Sequence, residues 1–344
     1  MKKILAFRTD RLGGYLICSR LLHSLKIKYG HLTVVCSKIN YKLIISQNFI
    51  DEIIIYDKSF SIFKKLKIFI KLFFNYYFLI IAWDGKKFSI LCSLFLFGRN
   101  KVAIIYKKTK MIFNTNINLH RPPLWMSKIF FKKTVTFTSK DNLFKTEHLP
   151  TLYKTLVSNF TDENNKDYYL EVHSEDEKKY NYYVEKHNLS KYILVHLDEK
   201  WLDINGVDSD LLYALTNMSK NLNIKLVISS YNNNHNYYIN LKNEYNKTKP
   251  MNIIFLENLE LKVFERFINY ANINISCHSG SLVQLTGFNK AKCIDIINKK
   301  DKLWVSCWIP FNTNYQQIFK NNDDKRLTIN QIFENIIKIY EEKI

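Results

Sequence analysis

The chain opens on Lys2-Lys3-Ile4-Leu5-Ala6-Phe7-Arg8, turns through Thr9-Asp10-Arg11-Leu12-Gly13-Gly14, and continues with apolar residues at helical spacing: Leu12, Leu16, Leu21, Leu22 and Leu25. A short apolar run, a polar turn ending in paired glycines and a helical period predict strand, turn and helix, the first half of a βαβ unit. That unit restricts the fold more than any other feature, because parallel strands need crossovers and become covered on both faces. In open α/β folds ligands bind beyond the carboxyl ends of such strands, where a helix N-terminus offers free N–H groups to anions. The turn over residues 9–14 is therefore the first candidate for chemistry.

The alternation continues. Strands are expected at 32–36, 52–56, 78–82, 101–105 and 134–138, separated by apolar-periodic helices. A polar run from Ser158 to Asp167 interrupts the pattern and reads as a linker. A second series follows: strand Tyr192 to Leu197, helix Asp208 to Lys220, strand Ile224 to Ser229 and an Asn-rich helix start at Asn232. It runs on through strand Ile253 to Leu256, helix Leu261 to Ala271, strand Ile273 to Cys277, helix Ser281 to Phe288 and strand Lys292 to Ile297. A chain of 344 residues exceeds the size at which one core keeps growing. The expected division is 1–160, 161–326 and a closing segment 327–344 holding an apolar-periodic helix. The fold class is α/β, with two doubly wound, Rossmann-like sheets. No G-x-G-x-x-G follows the first strand, which argues against a dehydrogenase.

The run Arg8-Thr9-Asp10-Arg11-Leu12-Gly13 followed by a helix resembles the opening of glycosyltransferase family 9, the ADP-heptose:lipopolysaccharide heptosyltransferases. The resemblance extends through Val34-Val35-Cys36, Asp51 to Tyr56, Tyr77 to Gly85, Gly98 to Val102, and Glu147-His148-Leu149 with Tyr153. It implies the GT-B architecture, two Rossmann-like domains facing across a cleft, with a C-terminal helix crossing back to the first domain. It also implies an inverting, metal-independent transferase that needs no cofactor. The donor would be a nucleotide diphosphate sugar of the ADP-heptose type, held by the second domain. The acceptor would be a lipopolysaccharide core or other lipid-linked surface glycan, met by the first domain through Arg8, Arg11 and Gly13.

Two stretches carry the implied donor site. His196-Leu197-Asp198-Glu199-Lys200-Trp201 leaves the first strand of the second domain; by resemblance Lys200 binds the diphosphate and Trp201 supports the loop. Ser276-Cys277-His278-Ser279-Gly280-Ser281 reads as strand end, small-residue turn and helix start, where Ser279, Gly280 and Ser281 let a diphosphate approach backbone N–H groups. His278 stands where the family has Asp, and Val283 where it has a later His. A histidine there is either a structural group or a ligand for a ribose, a sugar hydroxyl or a phosphate. The largest departure is Gly14, at the position of the family's catalytic Asp. Three readings stay open: Asp10 acts as base in its place, the protein binds without turnover, or Gly14 replaces an aspartate whose restoration raises turnover.

Formal charge is +20, and it is uneven: Lys58 to Lys110 holds 12 Lys or Arg against one acid, Asp84, a local balance of +11. Such a balance fits an anionic membrane surface or a solvated lysine face. Within it, Phe60 to Phe74 sorts lysines and aromatics onto opposing sides of a helix, as in helices that lie in a membrane interface or as in a core helix with a wet face. Nucleic acid is not an expected partner, because no zinc-finger, RRM-like or helix-turn-helix signature accompanies the charge. The six cysteines show no metal-binding spacing. With no apolar run near the ~20 residues that span a bilayer, the expected location is cytoplasmic, peripheral on the inner face of the membrane. The competing reading is a GT-B protein that binds a nucleotide sugar or glycan without catalysis, because of Gly14.

Overall fold

The computed structural model describes residues 1–112, 115–138, 148–163, 168–230, 236–286, 292–310, 314–322 and 325–341. Glu147, the helix start at Asn232, the far end of the linker and the last residues of the helix expected to reach Phe288 lie outside them. The chain divides into two compact units, Met1–Glu171 with Ser306–Trp308, and Val172–Val305 with Ile309–Ile344.

The first unit runs β1 (Lys2–Arg8), α1 (Leu12–Tyr29), β2 (Gly30–Cys36), α2 (Lys38–Ile44), β3 (Glu52–Ile55), α3 (Ile62–Phe73) and β4 (Tyr77–Ala82). It continues with α4 (Lys87–Phe95), β5 (Gly98–Ile112), β6 (Thr115–Arg121), α5 (Leu124–Phe130), β7 (Lys133–Thr138) and α6 (Leu149–Val157). The sheet order is β3-β2-β1-β4-β5-β6, with β7 paired to β5. Ile4 to Phe7 and Leu79 to Ala82 have no exposed surface, so these strands read as unbroken apolar runs, as helices on both faces demand. Gly30 closes α1 at φ 96°, a left-handed cap that suits glycine. The β5–β6 hairpin was not legible, since Lys107 to Arg121 carries no alternation.

The second unit runs α7 (Ser174–His187), β8 (Tyr192–Leu197), a 3-10 turn (Glu199–Asp203), α8 (Val207–Leu222), β9 (Lys225–Ser230), α9 (Asn236–Thr248) and β10 (Ile253–Glu257). There follow α10 (Leu261–Tyr270), β11 (Ile273–Ser276), α11 (Gly280–Thr286), β12 (Lys292–Ile297), α12 (Lys302–Ser306), β13 (Asn314–Phe319), the short strands β14 (Asn321–Asn322) and β15 (Lys325–Arg326), and α13 (Ile329–Glu341). The sheet order is β10-β9-β8-β11-β12-β13, every pair parallel. Helix α7 was missed by sequence reasoning, although His173 with Asp176 three residues on forms a capping box at its start.

Two expectations change. The first unit extends past residue 160 because the chain beyond the polar run still lies on α1: Tyr169 N donates to Ser19 Oγ (2.8 Å), its ring stacks on His23 (3.6 Å), and Glu171 N donates to Gln47 Oε1 (2.9 Å). The closing helix, for which a return to the first domain is expected, packs on α8 within the second unit. Ile329, Ile332, Phe333 and Ile336 of α13 enter the same buried cluster as Leu211, Leu215 and Met218 of α8. Its start is tied there by Ile329 N donating to Asn205 O (2.8 Å).

Candidate functional site

In both sheets the strand order reverses between the first and fourth strands, β1 with β4 and β8 with β11. Beyond that reversal the two following loops splay apart, which is where open α/β sheets bind ligands.

In the first unit the loop after β1 is built on Arg8. Its guanidinium has no exposed surface: Nε donates to Gly14 O (2.8 Å), Nη1 donates to Tyr153 Oη (2.9 Å), and Nη2 lies 3.0 Å from Asp10 Oδ2. Burial works against this charge, but Asp10 and Tyr153 outweigh it and raise the guanidinium pKa. A second carboxylate, Asp84 after β4, crosses the reversal to the same loop. It accepts from Thr9 N (3.1 Å), Thr9 Oγ1 (2.6 Å), Ser89 Oγ (2.8 Å) and Lys86 N (3.1 Å). Asp84 is thus filled by donors and serves the loop's shape. Asp10 is not: its Oδ1 is buried without a hydrogen-bond partner among the described residues, and burial raises its pKa against the pull of Arg8. An under-bonded carboxyl with a raised pKa is the sort of group that takes up a proton.

Gly14 explains how Asp10 fits. A Cβ built on Gly14 would collide with Asp10 Oδ2 and Arg8 Nη2 and lie 2.8 Å from Asp10 Cγ. The Asp10 carboxyl occupies the space that a side chain at position 14 would need. An aspartate at 14 would therefore have to displace the Asp10 carboxyl or the Arg8 guanidinium, both at the ends of side chains. Arg11 is exposed and Gly13 half-buried; Arg11 contributes its carbonyl to Gly14 N (3.0 Å) at the start of α1.

In the second unit Lys200 leaves the end of β8 and reaches across the reversal, its Nζ donating to the carbonyl of His278 after β11. The Lys200 carbonyl in turn accepts from Lys320 Nζ. Trp201 is fully buried and anchors the loop, its Nε1 donating to His196 O (3.0 Å). His196 hydrogen-bonds Ser229 Oγ (3.0 Å); burial, with Lys200 adding, pushes its pKa down to about 3, so it is neutral. His278 has φ 51°, in the left-handed region that costs a residue with a Cβ about 1 kcal/mol. Its Nδ1 lies 2.7 Å from Asp295 Oδ2, which also accepts from Tyr315 Oη (2.5 Å). Asp295 thus ties the His278 ring and the Tyr315 hydroxyl to β12. Ser279 N donates to Ser276 Oγ (3.2 Å), and the Ser279 and Ser281 hydroxyls are 3.3 Å apart. A Cβ built on Gly280 meets nothing within 4 Å, so the space before it is open.

The structure therefore joins Arg8, Asp10 and Gly14 in one unit, and Lys200, His278, Ser279, Gly280 and Ser281 in the other, while Trp201 supports from beneath. Sequence reasoning missed Asp84 as a loop organiser, Asp295, Tyr315 and Lys320. Asp295 had a signal: an acid within the apolar run Cys293 to Ile297. Among the described residues no group of three or more His, Cys, Asp or Glu is placed to hold a metal ion.

No protein-family model matches the sequence, and no curated protein sequence matches it either. Solved structures do match in fold. A glycosyl transferase family 9 protein from Veillonella parvula DSM 2008 superposes with a TM-score of 0.72 at 13% identity, covering 99% of this chain and 96% of that one. The E. coli ADP-heptose lps heptosyltransferase II gives 0.62 at 13% identity, covering 99% of each chain. E. coli heptosyltransferase WaaC with ADP-2-deoxy-2-fluoro heptose gives 0.62 at 14% identity over 99% of this chain and 100% of that one. At such identities the likeness is one of architecture: the chain has the two-sheet α/β fold of the GT-B heptosyltransferase structures.

Proposed function

We propose that this protein is a glycosyltransferase that moves a sugar from a nucleotide diphosphate donor of the ADP-heptose type to a lipid-linked surface glycan, with inversion. The observation that carries the reading is the strand-order reversal of the second unit, where Lys200 bonds the carbonyl of His278, and the Ser279 and Ser281 hydroxyls adjoin Gly280, whose Cβ position is open. A lysine and hydroxyl donors at that point suit a diphosphate, and they stabilise it further as it leaves. Asp10 is the proposed base that takes the proton of the acceptor hydroxyl, with Arg8 holding the carboxyl in place and Arg11 and Gly13 on the acceptor side. The fold likeness to structures described as heptosyltransferases, one with an ADP-sugar analogue, supports the donor class. Asp10 filling the position-14 space favours turnover over binding alone.

The test is thermal unfolding with ADP, UDP, GDP and CDP in turn, for the natural chain and Lys200→Ala. A nucleotide at about a hundredfold its Kd adds ~2.7 kcal/mol and raises Tm by several degrees. Stabilisation by one nucleotide, lost in Lys200→Ala, is expected. With that donor class in hand, Asp10→Asn should lower transfer by about 10²- to 10⁴-fold while nucleotide stabilisation persists. No shift with any nucleotide would remove the donor site and the transferase reading with it.

A further inference from the structure

Helices α3, α4 and α5 of the first unit lie side by side on one face of its sheet. Ile68 and Leu72 of α3 share a buried cluster with Cys92 of α4, and Ile90 and Leu94 of α4 share another with Met126 of α5 packed against it. Their inner faces are thus fully used. Their outer faces are apolar too: Phe63 is 80% and Phe74 83% exposed, with Ile70 between them, Phe95 on α4, and Trp125 (63%) and Ile129 (68%) on α5. Ile62, Leu66, Ile70 and Phe74 follow a four-residue spacing, so the exposed residues of α3 form a stripe along its axis and are not scattered. Isolated exposed apolar residues need no explanation, whereas a stripe along a whole helix, with more on the two helices that follow, marks a surface that meets something.

The charge around the stripe says what it meets. Lys58, Lys64, Lys65, Lys67 and Lys71 belong to or lead into α3, with no acid between Lys58 and Trp83, and Lys87 starts α4, while Lys86 is turned to the Thr9 carbonyl. Lys71 reaches back to Glu52 (2.8 Å), while Lys64 lies over the Phe60 ring (3.8 Å), its stem along apolar surface. Aromatic and aliphatic side chains pointing outward, flanked by one sign of charge, are the composition of a helix lying in a bilayer interface among anionic headgroups. A protein partner of ordinary composition would not call for lysines alone. Among the described residues no helix is long and apolar enough to cross a membrane, so this contact is with its surface.

We propose that the outer face of α3, α4 and α5 docks on an anionic lipid bilayer, with the aromatic residues entering the headgroup boundary and the lysines contacting phosphates. As the place where a lipid-linked acceptor is met, this rests on the reading above; as a surface, it stands on its own residues.

The test is co-sedimentation of the full chain with vesicles of phosphatidylglycerol and phosphatidylethanolamine, and separately of phosphatidylcholine, at low and high salt. The natural chain is expected on the anionic vesicles, released by salt. Phe63→Ser, Ile70→Ser and Phe74→Ser together should weaken binding at least tenfold, and Lys58→Gln, Lys64→Gln and Lys67→Gln by about fivefold each at low salt. Ile27→Ser and Tyr213→Ser, at exposed apolar residues elsewhere, should leave binding unchanged; all of these side chains are solvent-facing, so the fold is kept, and an unchanged Tm checks it. Equal binding to phosphatidylcholine, or full retention by the triple serine variant, would overturn the proposal. So would a dimer of the natural chain that the triple variant abolishes, because a second copy would then cover the face. Nucleotide stabilisation measured on the same preparation separates the two readings. Vesicle binding without it removes the transferase and keeps the surface, and the reverse removes only the surface.

Discussion

Helices α3 and α10 fill the same topological place. Each leaves the outermost strand on one side of its sheet, β3 or β10, and crosses back to the strand beside the first, β4 or β11. Their inner faces do the same work and their outer faces do not. α10 is roofed by α7: Tyr180 packs on Phe267 (4.9 Å) and stacks on Tyr270 (5.0 Å), Arg266 reaches Glu177 (3.5 Å), and Lys179 reaches Glu260 (2.8 Å). Its charges are accordingly mixed, Lys262, Glu265 and Arg266. Among the described residues no helix roofs α3 in this way, and it carries lysines and exposed aromatics. A crossover helix needs one stripe for its sheet, so the second stripe records what lies outside. In one unit that is the chain's own helix, and in the other it is, on the proposal above, a bilayer surface.

Three measurements break or sharpen this contrast. The largest effect is on stability: Phe267→Ala, beneath the α7 roof and fully buried, should cost about 3–5 kcal/mol in denaturant unfolding. Phe63→Ala and Phe74→Ala should stay within about 0.5 kcal/mol. If either cost more than about 2 kcal/mol, the α3 face would be part of a core and the contrast would collapse.

Moving from the helices to the first strands, β1 ends on buried, charged Arg8 and β8 carries buried, neutral His196. In the first unit, Gly14→Ala forces Asp10 or Arg8 to shift and should cost about 1–3 kcal/mol. Combined with Asp10→Ala, it should cost at least ~1 kcal/mol less than the sum of the two single changes. Additive costs would mean that the two positions do not share space. In the second unit, the folded-state pKa of His196, about 3, lies below its unfolded value of 6.5. Its contribution is therefore fully present above pH 6.5 and is lost as pH falls toward 3. At ~1.4 kcal/mol per pH unit, lowering pH to 5 should remove about 2 kcal/mol, an effect absent from His196→Phe. An unchanged pH slope in that variant would show that other groups carry the acid sensitivity.

What was legible in the sequence follows from what is local. The strand, turn and helix from Lys2 to Leu25 could be read because periodicity and glycines are properties of neighbouring residues. The strand ends before Lys200 and the His278 to Ser281 turn could be read from local pattern, whereas a donor role for these residues came from the family resemblance alone. Partners set by tertiary pairing could not be read. Tyr153 meets Arg8 across 145 residues of chain. Asp295 meets His278 because β11 and β12 pair in the register Ser276 to Asp295, and register between parallel strands is fixed by packing that no single segment encodes. The hairpin of β5 and β6 lacked the alternation that would have announced it. The destination of α13 was misread because an apolar face says that a helix packs, without saying on what.

Asp10 and Gly14 have a consequence for how such a loop can change over generations. A side chain gained at position 14 while Asp10 is present must push its carboxyl or the Arg8 guanidinium aside, so the effect of either substitution depends on whether the other has already occurred. Scored one column at a time, such a loop reports a missing group; scored as a filled volume, it reports an exchange.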